Sequence, residues 1–177
     1  MSEIRLMSQA EALESIPALS RILMDCVDDG ASVGFMAPLK EHVAEDYWSA
    51  VADGVGSGQI LLFSARVEGE IVGTVQVGFA SKPNQPHRGD LMKLLVHRKA
   101  RGLGLSRTLM AAAEAEAAAR GRWLLVLDTA TGEFAEGLYA KYGWTRSGVI
   151  PNYALYPDGR YCATTVFFKD LREAEAA

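Results

Sequence analysis

The sequence predicts a single α/β domain whose mixed sheet has six to seven strands and is flanked by four helices. Apolar β-rich segments and helical segments follow one another in the order β-α-α-β-β-β-α-β-α-β-β. The central strand–helix–strand unit requires parallel neighbours, because a helical crossover brings the chain back to the same end of the sheet. The length of 177 residues suits one domain, and no repeat or interdomain linker divides it. We therefore expect one domain over residues 1–177, with its core at about residues 4–170.

The amino-terminal half is predicted to form a strand, two helices and a β-hairpin. Pro17 fits the first turn of the first helix, and Gly30 fits the turn after its end. Three glycines between residues 54 and 58 predict the end of the second helix. In the small, apolar segment 31–38, Phe35 is a candidate wall of a binding cleft or, equally, a core aromatic. The predicted elements are a strand at 4–6, helices at about 15–28 and 39–51, and strands at 59–67 and 71–79 joined by a turn at 68–70.

The carboxyl-terminal half is predicted to alternate strands and helices. The run Leu94-Leu95-Val96 shows no polar alternation, so its strand is expected to be buried on both faces. The helix that follows is rich in alanine, which combines high helix propensity with little bulk and lets it lie close to the sheet. Asp128 is expected at the end of the next strand, in a turn that closes at Gly132. The predicted elements are strands at 90–96, 122–127, after Gly143-Trp144 and at 161–168, with helices at 104–120 and 133–142.

Charge and composition exclude several classes of function. The net charge of −4 offers no face-wide excess of Lys and Arg, so we expect no nucleic-acid partner. The basic residues gather on one turn instead, at Arg98, Lys99, Arg101 and Arg107, and this pattern suits a small polyanion. No apolar run approaches the length of a membrane span and no signal-type leader begins the chain, so we expect a cytoplasmic protein without a membrane partner.

The remaining residues with metal or redox chemistry show no clustering. Cys26 and Cys162 have no metal-type or C-x-x-C spacing and are interpreted as packed thiols. His97 is expected on an exposed turn, and His87 lies in a proline-rich loop with no evident partner. No group of His, Asp and Glu has ligand spacing, so no metal is predicted.

A glycine turn between an apolar strand and the alanine-rich helix predicts an anion site. Gly102 and Gly104 lead into the helix, whose first N–H groups have no partner and whose dipole is positive at this end. Arg101 and Arg107 add formal charge, so a phosphate or pyrophosphate is the expected ligand. A nucleoside triphosphate loop would need G-x-x-x-x-G-K-[ST], which is absent. A dinucleotide fingerprint would need a third glycine where Arg107 stands, which leaves coenzyme A as the remaining candidate.

Two segments resemble the GCN5-related N-acetyltransferase (GNAT) family. Lys99-Ala100-Arg101-Gly102-Leu103-Gly104 is similar to the family's pyrophosphate loop, Arg/Gln-x-x-Gly-x-Gly/Ala, with lysine at its first position. The run from Ala135 to Trp144 is similar to the family's A-x-x-L-Y-x-x-x-G-F/W helix, with Tyr139 as its tyrosine. Gly132 stands where many members have an asparagine, so no asparagine contact to the cofactor is implied.

The resemblance implies an acetyl-CoA-dependent enzyme on the family fold. The backbone N–H groups from Arg101 to Ser106 would hold the pyrophosphate. The preceding strand would bond the pantetheine arm as an added strand does. The residues implied at the cofactor are Leu94, Leu95, Val96, Arg101, Gly102, Leu103, Gly104, Leu105, Ser106 and Arg107.

Three further segments, 30–36, 127–129 and 157–160, resemble the tabtoxin-resistance branch of the family. That branch acetylates a β-lactam amino-acid toxin, which implies a small amino-acid-like or antibiotic-like amine as substrate. A homodimer is implied by the family alone. A protein N-terminal or lysine acetyltransferase and a non-catalytic acyl-CoA-binding module remain as alternatives.

Direct attack of the amine on the thioester needs no enzyme nucleophile. Tyr139 matches the tyrosine of the family motif, and the resemblance implies that it is the acid that protonates the departing thiolate. The alternative is an ordinary core tyrosine. Asp128 is a candidate base or charge partner for the substrate ammonium, or alternatively a helix-capping or turn aspartate, with Glu133 and Asp90 as weaker alternates. Phe35, Glu133 and Trp144 are candidates to contact the substrate, although Trp144 also fits an ordinary core position.

Overall fold

The computed structural model describes residues 2–172 and shows one seven-stranded sheet with five α-helices. The strands are β1 (Ser2–Leu6), β2 (Ile60–Val67), β3 (Glu70–Phe79), β4 (Arg88–Val96), β5 (Leu124–Ala130), β6 (Thr145–Leu155) and β7 (Tyr161–Asp170). The helices are α1 (Gln9–Glu14), α2 (Ile16–Asp28), α3 (Glu41–Gly56), α4 (Leu105–Ala119) and α5 (Phe134–Lys141). The strand order is β1-β2-β3-β4-β5-β7-β6, with only β4 and β5 parallel. The predicted mixed sheet and its parallel central pair are confirmed. Met1 and residues 173–177 of the expected domain lie outside the described residues.

The expectation of four helices is wrong, because α1 precedes α2. Its start is fixed locally: the Ser8 side chain accepts from the Glu11 N–H, and the Glu11 carboxylate accepts from the Ser8 N–H. Only Ala12 of this short helix is buried, so it carries no amphipathic pattern. Helix α3 also extends beyond residue 51, where its end was predicted, because Gly54 does not stop the helix. Gly54 is required by packing instead, since a Cβ there would lie 2.5 Å from Ile60 Cδ1.

The helices cover opposite faces of the sheet and enclose two apolar cores. Helices α2 and α3 pack on one face around Leu23, Trp48 and Leu62. Helix α4 packs on the other face, where its Ala113 and Ala117 are fully buried. The expected thin helix close to the sheet is therefore confirmed. No helix within residues 2–172 is long and apolar enough to span a bilayer.

The sheet opens between its two parallel strands. β4 and β5 pair only where Arg88–Asp90 lies beside Leu124–Val126, and each strand then continues along its other neighbour. Between Met92 and Leu95, β4 contains one residue more than the β3 segment it pairs with, and Lys93 has a left-handed φ of 53°. Such a bulge bends a strand. The resulting gap, which lies between residues 91–96 of β4 and 127–130 of β5, is called the notch below.

Candidate active site

The glycine turn has the geometry of an anion site. Gly102 and Gly104 have φ values of 80° and 75°, which only glycine adopts without strain, and Gly104 directly precedes α4. The first N–H groups of α4, from Leu105 to Arg107, have no intrahelical acceptor, and a Cβ at either glycine would meet open space. The turn thus presents several N–H groups and the positive helix end to one exposed region, and these fit a pyrophosphate.

The basic side chains of the turn are largely engaged by carboxylates. The Arg101 guanidinium pairs with Asp29 at 2.5 Å, and this ion pair holds the pKa of Asp29 below its usual value and raises that of Arg101. Arg98 binds Asp25 at the end of α2, and Lys99 pairs with Glu70 at 2.8 Å. Of these cations Arg107 alone lacks an ion pair within residues 2–172. The site therefore depends on backbone N–H groups and Arg107 more than on the other side chains.

The edge of β4 that faces the notch is partly accessible. Leu95 is buried, but Leu94 and Val96 are only partly buried, so the expected burial of this strand on both faces is wrong. The notch explains the difference, because no strand covers β4 beyond Asp90 on the β5 side. The Val96 carbonyl accepts from Arg101 Nε at 3.4 Å. This edge leads directly into the glycine turn.

Tyr139 lies on α5 with 6% of its surface exposed. Its ring packs against Phe167 and Trp144, with centroids 5.7 and 6.3 Å away. Burial, reinforced by the negative charge of nearby Asp128, raises the pKa of Tyr139 to about 12. The phenol therefore keeps its proton at every physiological pH. Its hydroxyl makes no hydrogen bond in the part of the chain that is described.

Asp128 lies within β5, so the prediction that it ends the strand and begins a turn is wrong. β5 extends to Ala130 because it pairs with β7 over its whole length, Asp128 opposite Val166. The carboxylate is exposed, and its Oδ2 accepts from Thr164 Oγ1 at 2.7 Å. A strand residue held by a hydroxyl from the neighbouring strand is a fixed rather than a mobile charge. Sequence reasoning missed Thr164, which carries no local signal.

The candidate substrate residues occupy different environments. Phe35 is half-buried and contacts Tyr47 edge-on, with ring centroids 5.3 Å apart. Glu133 is exposed before α5 and accepts from the Tyr156 hydroxyl at 3.1 Å. Trp144 lies in the core with 4% exposed, and its Nε1 donates to Glu114 at 2.8 Å, as the alternative interpretation of this residue expected.

The remaining candidates have structural partners. Asp90 pairs with Arg88 at 2.6 Å. His87 stacks on Trp123, with ring centroids 4.5 Å apart, and His97 accepts the Lys99 N–H at the start of a 3₁₀ turn. Cys26 and Cys162 are buried free thiols. Within residues 2–172, no three His, Cys, Asp or Glu side chains come together as metal ligands would.

A lysine that the sequence analysis did not select lies beside these groups. The Lys93 ammonium lies 5.8 and 5.5 Å from the ring centroids of Phe35 and Tyr47. Burial lowers the pKa of Lys93, and the charge of Asp128 opposes that shift. The available signal was a single charge inside the apolar run 91–96.

Comparisons with known proteins agree with this arrangement. The family model described as "Acetyltransferase (GNAT) family" matches residues 16–144. The uncharacterized N-acetyltransferase of the hisH-hisA intergenic region of Azospirillum brasilense is 35% identical over 106 residues, which is 59% of this chain and 61% of that protein. The matched stretch thus spans less than two thirds of that relative.

Solved structures share the fold at low sequence identity. The ribosomal-protein-alanine N-acetyltransferase of Brucella melitensis has a TM-score of 0.79 and 24% identity, over 96% of this chain and 99% of that one. The yncA protein of Salmonella typhimurium, solved with its cofactor acetyl-CoA, has a TM-score of 0.79 and 18% identity, over 97% and 94%. The family match over residues 16–144 includes the notch, the glycine turn and Tyr139, and the chain therefore belongs to the GNAT family of acetyltransferases.

Proposed function

We propose that the protein is an acetyl-CoA-dependent N-acetyltransferase that acetylates a small amino-acid-like or antibiotic- or toxin-like amine. The observation that carries this proposal is the notch. Its β4 edge leads into the N–H groups at the start of α4, and its β5 edge carries Asp128, whose charge reaches both Tyr139 and Lys93. An extended thiol cofactor with a pyrophosphate and an amine acceptor need such an arrangement.

The proposed cofactor contacts follow from backbone geometry. The N–H groups from Arg101 to Ser106, with the charge of Arg107, would hold the pyrophosphate. The open edge of Leu94, Leu95 and Val96 would pair with the pantetheine amides. The Val96 carbonyl would give up its long hydrogen bond from Arg101 Nε, 3.4 Å in length, and accept one from a pantetheine amide N–H instead. The acetyl thioester supplies the activated acyl group.

Asp128 would act on the nucleophile. Its exposed carboxylate can bind the substrate ammonium and take one proton, directly or through water, so that a neutral amine attacks the thioester carbonyl carbon. The amine nitrogen bonds to that carbon, and the carbon–sulfur bond breaks with its electron pair going to sulfur. The second proton lost by the nitrogen passes to water, which leaves a neutral amide and a thiolate that takes a proton from solvent. The bond from Thr164 keeps the carboxylate in place during this step.

Tyr139 would act on the leaving group. A phenol with a pKa of about 12 is protonated, but a free thiol has a pKa of about 8.5, so complete proton transfer to the thiolate is uphill by roughly 5 kcal/mol. We therefore assign to its hydroxyl a hydrogen bond that stabilises charge on the departing sulfur. Such a bond exists only as the carbon–sulfur bond breaks, so it raises kcat rather than cofactor affinity.

The acceptor side of the notch supports a small substrate. The segment between α2 and α3 is fixed to the far end of the sheet, because Ser32 Oγ donates to the Leu155 carbonyl at 2.9 Å and the Ala37 N–H donates to the Pro157 carbonyl at 3.1 Å. This segment holds Phe35 against Tyr47. A fixed wall restricts the space for an acceptor, whereas a peptide needs an open groove.

A protein acceptor is the second candidate, because the Brucella melitensis neighbour is described as a ribosomal-protein-alanine N-acetyltransferase. Thiol release from acetyl-CoA, measured across amino acids, β-lactam analogues, polyamines and peptides, separates the two. Faster release with small amines supports the proposal, and release only with peptides refutes its substrate class. CoA binding without release for any amine would indicate a binding module.

Location and assembly are further parts of the proposal. Two buried thiols that remain free suit a reducing compartment, and we place the protein in the cytoplasm. A homodimer is proposed from the family alone, with sedimentation equilibrium as its test.

A further inference from the structure

The ammonium of Lys93 occupies an unusual position for a lysine. It lies in the corner formed by the half-buried rings of Phe35 and Tyr47, at cation–π distances of 5.8 and 5.5 Å. The Tyr47 hydroxyl is itself fixed by Gln76, whose amide nitrogen donates to it at 3.1 Å. A Cβ at Gly34 would lie 3.7 Å from the ammonium, so the 31–38 segment also borders it. The ammonium is therefore packed against two rings and a backbone segment, unlike that of a lysine that extends freely into solvent.

This ammonium lacks a hydrogen-bond acceptor in the described chain. No ion pair or hydrogen bond joins Lys93 to any residue within 2–172, although its three N–H groups are strong donors. Desolvation of an unpaired cation is unfavourable, as the lowered pKa of Lys93 reflects. A partly buried, unpaired charge that costs free energy in the free protein is commonly matched by a ligand of opposite charge.

The backbone at Lys93 reinforces this interpretation. Lys93 has φ of 53°, a left-handed conformation that is uncommon for lysine and costs about 1–2 kcal/mol for a residue with a side chain. Strained conformations of this kind concentrate at binding and catalytic sites. The strain lies at the bulge that opens the notch, on the same strand as the proposed pantetheine edge.

We propose that Lys93 binds the carboxylate of the acceptor amine, so that the preferred substrate is a zwitterionic amino acid. Asp128 takes the ammonium of this substrate and Lys93 takes its carboxylate, while Phe35 and Tyr47 contact the carbon atoms close to the two charges. This inference rests on the proposed acetyl transfer and narrows its substrate class. Lys93 forms no covalent bond in the reaction.

The test uses pairs of amines that differ only in the carboxylate, such as phenylalanine with phenethylamine and lysine with cadaverine. For the wild type, kcat/KM for the amino acid should exceed that for its partner. In Lys93→Met, kcat/KM for the amino acid should fall roughly 10- to 100-fold, the effect of losing a hydrogen bond to a charged group. The value for the amine without a carboxylate should change by less than about threefold. Lys93→Arg should keep part of the preference, because it keeps the charge.

Lys82→Met is the matched control, since Lys82 lies on the exposed loop before β4 and should leave both members of each pair unchanged. Methionine and lysine are equally strained at a left-handed φ, and methionine carries no desolvated charge, so Lys93→Met should have a thermal midpoint at or above that of the wild type. Equal use of both members of the pairs by the wild type would overturn the inference. An equal loss for both members in Lys93→Met would overturn it too, because it would indicate a structural role.

A binding measurement separates failure of this inference from failure of the proposed function. With CoA present, an N-acetyl amino acid should slow reductive methylation of Lys93, followed by mass spectrometry, whereas the matching N-acetyl amine should not. If no amine releases thiol, the proposed function fails, and protection of Lys93 still supports the carboxylate site. Absence of protection at saturating N-acetyl amino acid overturns the site whatever the activity.

Discussion

Replacing Gly104 by valine is expected to weaken CoA binding through the backbone alone. Gly104 has φ of 75°, and a Cβ there would meet no atom within 4 Å, so valine introduces no clash. The left-handed conformation costs a residue with a side chain about 1–2 kcal/mol, and more where the Cβ is branched. The chain can avoid that cost only by turning the peptide, which misdirects the N–H groups at the start of α4.

The magnitude follows from the number of N–H groups displaced. A hydrogen bond to a charged acceptor contributes about 1.5–3 kcal/mol, so losing one such bond should raise the CoA Kd roughly 10- to 100-fold. The conformational cost should lower the melting temperature by about 2–8 °C for a chain of this size. Gly104→Asn should be milder than Gly104→Val, because asparagine tolerates the left-handed region.

Gly121 offers a matched control at the other end of α4. It has φ of 74°, and a Cβ there would also meet nothing within 4 Å. Gly121→Val should therefore lose a similar amount of thermal stability and keep the wild-type Kd, as measured by isothermal titration with CoA. Wild-type affinity in Gly104→Val would refute the assignment of the pyrophosphate to this turn. Equal weakening by both variants would show a global effect.

Three further outcomes are expected. Tyr139→Phe should lower kcat by roughly 100-fold with little change in CoA affinity, and Tyr142→Phe serves as its control; full turnover with rate-limiting chemistry would remove Tyr139 from the mechanism. Ionisation of Tyr139 should lower the free energy of unfolding at alkaline pH. The unfolded phenol loses its proton near pH 10 and the folded one near pH 12, so between these values the folded state binds the extra proton and stability falls, by roughly 2–3 kcal/mol in total. The difference in urea midpoint between pH 9 and pH 11.5 should therefore be smaller in Tyr139→Phe than in the wild type. An unchanged difference would contradict the assigned burial of Tyr139. Glu114→Gln should lower the free energy of unfolding, measured by urea denaturation, by about 3 kcal/mol. The Lys169 ammonium, which lies 2.7 Å from Glu114 and has a side chain only 17% exposed, would lose its anion. A loss below about 1 kcal/mol would show that water replaces the carboxylate.

The local parts of the site were predictable from sequence, and the parts set by distant strands were not. The glycine turn is local, since two glycines before an alanine-rich segment determine both the left-handed residues and the helix start. The extent of β5 is not local. Its last three residues look like a turn in sequence, and only pairing with β7, more than thirty residues later, keeps them extended. Asp128, which stays a proposed site residue, was therefore placed in the wrong element.

The same distinction explains why the acceptor side was described less completely. Phe35 and Tyr47 come from segments on either side of Leu39, and Lys93 reaches them only because the bulge directs its side chain to the sheet face that α2 and α3 cover. Thr164 reaches Asp128 through the pairing of β5 and β7. No spacing along the chain encodes these contacts. The glycine turn follows from a motif, whereas the corner formed by Phe35, Tyr47 and Lys93 depends on tertiary packing.

The bulge in β4 accounts for both the notch and the position of Lys93. Met92 pairs with Gln76, whose side chain meets Tyr47 of α3, so Met92 lies on the α2–α3 face. In a regular strand the next side chain points to the opposite face, where Lys93 would enter the apolar core under α4 as an unpaired charge. The left-handed residue instead brings its ammonium to Phe35 and Tyr47. One extra residue thus bends β4 away from β5, exposes the edge that is proposed to pair with the cofactor, and holds a cation beside that edge.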